Sequence, residues 1–113
     1  MQFLLIIAHD DEFRADQELI SSIYRWIEEN SERGVRVRGA PLRPSAEAIT
    51  IQIRDGVLSR KSGPFNDARD QMAAFELIEC GDLEEAVKIA SSHPMAAAAT
   101  IEVRPVWPEL ARS

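Results

Sequence analysis

Phe3-Leu4-Leu5-Ile6-Ile7-Ala8 is apolar at every position. Six such residues, rich in β-branched and large aliphatic side chains, read as a strand with no polar face. A strand of that kind belongs in the middle of a sheet whose two faces are both covered. The run is too short to cross a bilayer. It lacks the basic lead of a secretion signal, and Asp10 and Asp11 follow it at once. Beyond those aspartates, which can cap a helix, Phe13, Leu19, Ile20, Ile23 and Ile27 recur at helical spacing with Trp26 beside them. Gly34 supplies the stop.

Val35 to Arg38 alternates apolar and basic residues before Gly39-Ala40-Pro41 breaks the pattern. Ala48-Ile49-Thr50-Ile51-Gln52-Ile53-Arg54 is the cleanest alternating strand in the chain. Asp55-Gly56 is a tight-turn signal, so Val57 to Arg60 should return as a hairpin partner. Met72 to Glu79 reads as a further strand, with a helix over 67–75 as its rival. Asp82 and Glu85 form a capping-box-like start to a second helix, whose apolar stripe is Leu83, Ala86, Val87 and Ala90. Pro94 closes that helix just after His93, and Thr100 to Val106 alternates as the last strand.

Strands and helices alternate too loosely here for a parallel sheet. The pattern predicts an α+β protein: one antiparallel, ferredoxin-like sheet with both helices on one face. Ile49, Ile51, Ile53, Ile101 and Val103 are then expected to face the helices. The opposite face is expected to carry Thr50, Gln52, Arg54, Thr100, Glu102 and Arg104, joined by Met72 and Glu76. An apolar first strand amid such a charged rim predicts a ligand cleft, a twofold contact with a second copy, or both.

With 113 residues the chain fits one domain spanning 1–113. Net charge is −6, which argues against a surface that binds nucleic-acid phosphates. A single cysteine, Cys80, excludes an internal disulfide and points to a reducing cytoplasm. No repeat, linker or membrane-length apolar segment is present.

Several segments, taken in order, resemble the YCII-related family and in particular its DGPF-motif branch. Phe3 to Ile7 is similar to the family's first strand, and Gly39-Ala40-Pro41-Leu42-Arg43-Pro44-Ser45 to its Gly-x-x-Leu-x-Pro-Ser segment. Asp55-Gly56 followed by Ser62-Gly63-Pro64-Phe65 looks like the hallmark turn, and Glu102-Val103-Arg104-Pro105-Val106 like the terminal strand. The resemblance implies a ferredoxin-like fold of the dimeric α/β-barrel group, with two sheets facing across a pocket. It also implies two kinds of role. One is binding or cofactor-free acid–base conversion of a small anionic or aromatic molecule. The other is a partner-binding or sensory module beside a sigma-factor-type regulator. Two departures stand out. Ser62 replaces the leading aspartate of the motif, and the first helix has no histidine, so a family-type His–acid dyad is absent.

His93, near a helix C-terminus where the dipole favours an imidazolium, is the expected proton carrier. Tyr24, the polar aromatic of the first helix, would assist it. Arg54 and Arg104 could hold an anion through paired hydrogen bonds, with Glu76 and Phe65 also lining the pocket. The same charges would equally serve as a structural ion-pair network. His9-Asp10-Asp11 supplies too few ligands for a metal site and reads better as caps. Cys80 has no activating neighbour and reads as a packed thiol. The Gly-Pro-Phe turn is not a phosphate loop, and no cofactor is expected.

Overall fold

The computed structural model describes residues 1–111. Strand β1 (Gln2–His9) lies second from one edge of a four-stranded antiparallel sheet. β5 (Gln71–Glu79) flanks it on one side and β6 (Thr100–Pro105) on the other, while β2 (Arg36–Pro41) pairs with the far side of β5. The order β2-β5-β1-β6 is consistent with a ferredoxin-like α+β fold, as the element pattern predicts. Helices α1 (Gln17–Glu32) and α2 (Leu83–Ser91) follow β1 and β5. A short helix, α3 (Met95–Ala98), precedes β6.

Local chemistry sets the helix starts. Asp16, rather than Asp10 or Asp11, caps α1: its carboxylate accepts from the Leu19 N–H at 2.8 Å. Asp10 instead accepts from the Glu12 and Phe13 N–H groups, so Phe13 falls in a turn before the helix. Asp82 caps α2 through the Glu85 N–H, and Glu85 reaches back to the Gly81 N–H, one residue beyond the usual capping-box target. The rival helix over 67–75 does not form, because β5 takes residues 71–79 into the ladder.

The core lies between the sheet and the helices. Phe3 and Leu5 of β1 and Ile78 of β5 are fully buried against Trp26 of α1 and Ala86, Ile89 and Ala90 of α2. Ile101 and Val103 pack at its margin on the helix side, as the alternation of the last strand predicts. The other face of β1, with Leu4, Ile6 and Ala8, is only partly buried.

Two expectations about the sheet need correction. β3 (Ile49–Arg54) and β4 (Val57–Ser62) form a separate two-stranded sheet, and Ile49, Ile51 and Ile53 do not face the helices. The Asp55-Gly56 turn forms as expected, with both residues at positive φ, 52° and 75°. The ribbon is an insertion between β2 and β5 that projects as an arm. Glu76 also lies on the helix side, because it pairs across from Leu5 on β1 and Gly39 on β2. Phe75 and Leu77 take the open face opposite Ile6 and Leu4. An irregularity near Ala8 lets Met72 join them there.

Candidate functional site

Past Leu5 the helix layer no longer seals onto the sheet. A cleft of about 270 Å³ opens between α1 and the ends of β1, β2 and β5. Its walls are mostly apolar: Ile7 and Ala74 from the sheet, and Ile20, Ile23 and Ile27 from α1. These α1 residues read as ordinary core in the sequence. Here they line a cavity, whose sheet side includes the small residues Ala40, Ala73 and Ala74. That size suits a small organic molecule.

Four polar groups belong to this lining, His9, His93, Glu76 and Arg36, with Tyr24 contributing to the wall while staying 67% exposed. His93 is 2% exposed and sits just beyond α2, where Ser92 ends the helix. The Trp26 indole packs against its ring, centroids 4.5 Å apart. The Met95 N–H donates to Nδ1 at 3.0 Å, so the ring proton resides on Nε2. That Nε2 is buried and finds no acceptor among the described residues. Burial pushes the imidazole down to about 4. The imidazolium favoured by the helix dipole is therefore not what this site holds at neutral pH. Desolvation under the indole outweighs the last turn of a nine-residue helix, and His93 is a neutral N–H donor.

Glu76 is 4% exposed and lies across Gly39 of β2 to pair with the Arg36 guanidinium. Burial raises its carboxyl above the ordinary range, and the hydrogen bond and charge of Arg36 pull the other way. Glycine at 39 is what lets the carboxylate cross. A Cβ there would overlap the Glu76 carboxyl and come within 2.7 Å of the Phe75 carbonyl. Gly39→Ala should therefore expel Glu76 from its pairing with Arg36. The expected loss is about 1–3 kcal/mol of stability from overpacking. A denaturation curve checks it; an unchanged midpoint would show that the carboxylate has room to move.

The remaining expected site residues lie elsewhere. Arg54 is on the arm and donates to its neighbour's Ile53 carbonyl. Arg104 pairs at 2.6 Å with Glu102 on the same strand, both side chains more than half exposed, an ion pair of small energetic weight. Phe65 is 84% exposed at the foot of the arm. The cleft thus joins His93, Tyr24 and Glu76, and leaves out Arg54, Arg104 and Phe65. Arg36 was legible only as one basic residue of an alternating strand; its pairing with a residue forty positions away carries no local signal.

His9 stacks on Phe13, centroids 4.4 Å apart, and its Nδ1 lies 2.8 Å from the Asp10 carbonyl. Asp10 in turn pairs with Arg69, whose hydrogen bond holds that carboxyl below its usual range against the cost of burial. No group of three or more His, Cys, Asp or Glu side chains arranged to hold a metal occurs among the described residues. Burial pushes the Cys80 thiol up, with Glu85 adding to the shift, which fits a packed thiol rather than a nucleophile. No helix among the described residues is long and apolar enough to cross a membrane.

An uncharacterised protein of Rhizobium meliloti (strain 1021) is 33% identical over 69 residues. That is 59% of this chain and 56% of the relative, so the chain spans just over half the length of the curated relative it matches. The pattern of the YCII-related domain matches from residue 1 to 110, taking in every strand of the four-stranded sheet, both capped helices and the arm. By that near-complete match, the chain belongs to the YCII-related domain family.

Proposed function

We propose that the protein binds a small, largely apolar organic molecule in the cleft between α1 and the sheet, and that His93 hydrogen-bonds an uncharged acceptor such as a carbonyl oxygen. The buried Nε2–H of His93, without an acceptor among the described residues, carries this reading. A buried donor left unpaired costs about 1–3 kcal/mol, so a ligand that supplies an acceptor recovers that energy on binding. The walls favour an aliphatic or aromatic body. The polar groups favour a neutral head: Arg36 and Glu76 already neutralise each other, and a second buried anion would meet no other Arg or Lys among the described residues of the lining. This narrows the anionic-or-aromatic expectation to an aromatic or aliphatic carbonyl compound.

If the bound molecule is also converted, the chemistry is cofactor-free proton transfer beside the carbonyl. The neutral imidazole would polarise the oxygen, and Glu76, with its raised carboxyl, would accept or return the proton. Tyr24 stands at the wall where a small residual polar group could reach it. The same proposal includes the finer points of kinship. Ser62-Gly63-Pro64-Phe65 supports the DGPF-motif branch. The half-buried strip Leu4, Ile6, Phe75 and Leu77 on the open face supports a second sheet facing it, as in a dimeric α/β barrel. A lone cysteine supports a cytoplasmic setting.

The test is a thermal-shift screen of small aromatic and aliphatic carbonyl compounds, with each hit titrated against wild type, His93→Leu and Arg104→Ala. Ligand at a hundredfold excess over its Kd should stabilise wild type by about 2.7 kcal/mol. His93→Leu should weaken binding about tenfold or more, the worth of one buried hydrogen bond. Arg104→Ala should bind as wild type. Hits that bind folded His93→Leu with undiminished affinity would remove His93 from the site.

A further inference from the structure

Two imidazoles line the cleft, and their ring protons sit on opposite nitrogens. His93 accepts from the Met95 N–H at Nδ1, which leaves its own proton on Nε2. His9 belongs to the same lining. Its Nδ1 lies 2.8 Å from the Asp10 main-chain carbonyl, which can only accept, so here Nδ1 carries the proton. The uncharged His9 ring therefore keeps its lone pair on Nε2, and that atom makes no hydrogen bond among the described residues. At Nε2 one ring is a donor and the other an acceptor.

The fold fixes His9 in this state. Phe3, Leu5 and Ile7 turn to the helix side of β1, and the period of two carries His9 to that side at the end of the strand. Phe13 stacks on the ring with the two planes 24° from parallel. The turn that brings Phe13 there is tied by the Asp10 carboxylate, which accepts from the Glu12 and Phe13 N–H groups and from Arg69. Turning the ring over would break the carbonyl bond, so the tautomer is set by the main chain.

Solvent access separates the groups able to move a proton. His93 is 2% exposed and Glu76 4%, and the Glu76 carboxylate is engaged by Arg36. His9 is half-buried and also lines a second hollow of about 380 Å³, where Arg14 and Gln71 join it. The two hollows share His9, Phe13, Pro41 and Ala73 as a common wall. His9 thus stands between the cleft and the solvent, where a proton taken from a ligand can exchange with water.

We infer that His9 is the base of this cleft and that the ligand is an enolisable ketone, with a hydrogen on the carbon next to its carbonyl. His9 Nε2 takes that proton, the C–H pair becomes the C=C bond of the enolate, and the carbonyl π pair moves onto oxygen, where the His93 Nε2–H holds it. Return of the proton from the His9 imidazolium to carbon or oxygen completes the step with no other reactant. The inference rests on the ligand reading above and narrows it, because removal of the proton falls to His9 and not to Glu76.

Deuterium exchange tests it on the full chain, with acetophenone and cyclohexanone as probes in heavy water. Ligand-observed NMR follows binding and the loss of the α-hydrogen signal in one sample. Wild type should bind at least one of these ketones and exchange its α-hydrogens faster than buffer does. His9→Asn keeps a donor for the Asp10 carbonyl but has no ring lone pair. It should still bind, and its protein-dependent exchange should be slower by about 100-fold or more. Binding to wild type without faster exchange overturns the inference and leaves the ligand reading standing, as does undiminished exchange in His9→Asn. Failure of both ketones to bind overturns the ligand reading and this inference with it. Should His9→Asn not fold, proton–nitrogen correlation NMR on the wild-type imidazoles decides. A proton on Nδ1 of His9 and on Nε2 of His93 supports the inference; a proton on Nε2 of an uncharged His9 overturns it.

Discussion

Between pH 7 and pH 4 the protein is expected to lose about 3 kcal/mol of folding stability through one residue, His93. In the folded chain its imidazole titrates at about 4, because burial disfavours the charged ring. In the unfolded chain it titrates at its ordinary 6.5. Between those values the unfolded state binds a proton that the folded state refuses, so stability falls as pH falls and the loss is complete near the lower value. Charging the folded ring would also put a proton on Nδ1 and break the bond that the Met95 N–H makes there. Glu76 works in the opposite direction: its carboxyl is raised in the folded chain, so part of its cost is relieved on acidification. The difference between wild type and His93→Gln therefore isolates the histidine. Urea denaturation at a series of pH values measures it. Wild type should show the extra slope between about pH 6.5 and 4, and His93→Gln should lack it. Equal slopes in the two proteins would mean that the ring is reached by water.

Trp26→Ala is expected to cost about 3–5 kcal/mol, the range for deleting a buried aromatic side chain. In a domain of this size that lowers Tm by on the order of 15 °C. Trp26 is 4% exposed and joins three parts of the molecule: the core with Phe3 and Leu5, the ring of His93, and Ser92, whose hydroxyl accepts from the indole N–H at 3.0 Å. Truncation admits water to the imidazole. The His93 titration, followed by NMR, should then return toward its ordinary value, and the acid slope should shrink with it. Trp26→Phe keeps most of the packing, drops the hydrogen bond to Ser92 and should cost far less. A Trp26→Ala protein that melts within a few degrees of wild type would show that the core closes over the missing indole.

The two substitutions separate stability from binding. His93→Gln removes the acid sensitivity while leaving the Trp26 core in place, whereas Trp26→Ala weakens both. Gly39→Ala acts on the far wall, through Glu76, without touching either ring. Effects at these positions should add where no partner is shared, as for Gly39 and Trp26, and should couple where one is, as for Trp26 and His93.

Elements were legible wherever the signal is local. Asp82 caps its helix from within a turn, Asp55-Gly56 folds a hairpin by its own backbone preference, and Ile101 and Val103 face the helices as strand alternation requires. The cap of α1 was misplaced at Asp10 and Asp11, because three aspartates lie within seven residues and only Asp16 reaches the N–H of Leu19. His93 and Glu76 were also singled out as residue types, but their environment was not. Alternation in β3 is as regular as in a core strand, since a period of two says that one face is apolar and nothing about what covers it. In β5 both faces carry apolar residues, so parity alone could not say that Glu76 turns inward and Phe75 outward.

The α+β class, the order of strands and helices, the Asp82 cap and the hairpin turn each follow from residues within a few positions of one another, so the chain's local chemistry suffices for them. The departure of the isoleucine hairpin from the main sheet, the crossing of Glu76 over Gly39 to meet Arg36, and the neutral His93 donor in an apolar cleft emerge from packing alone. Those outcomes depend on strand register, burial and desolvation, which are set by residues far apart in the chain: Arg36 with Glu76, and Trp26 with His93.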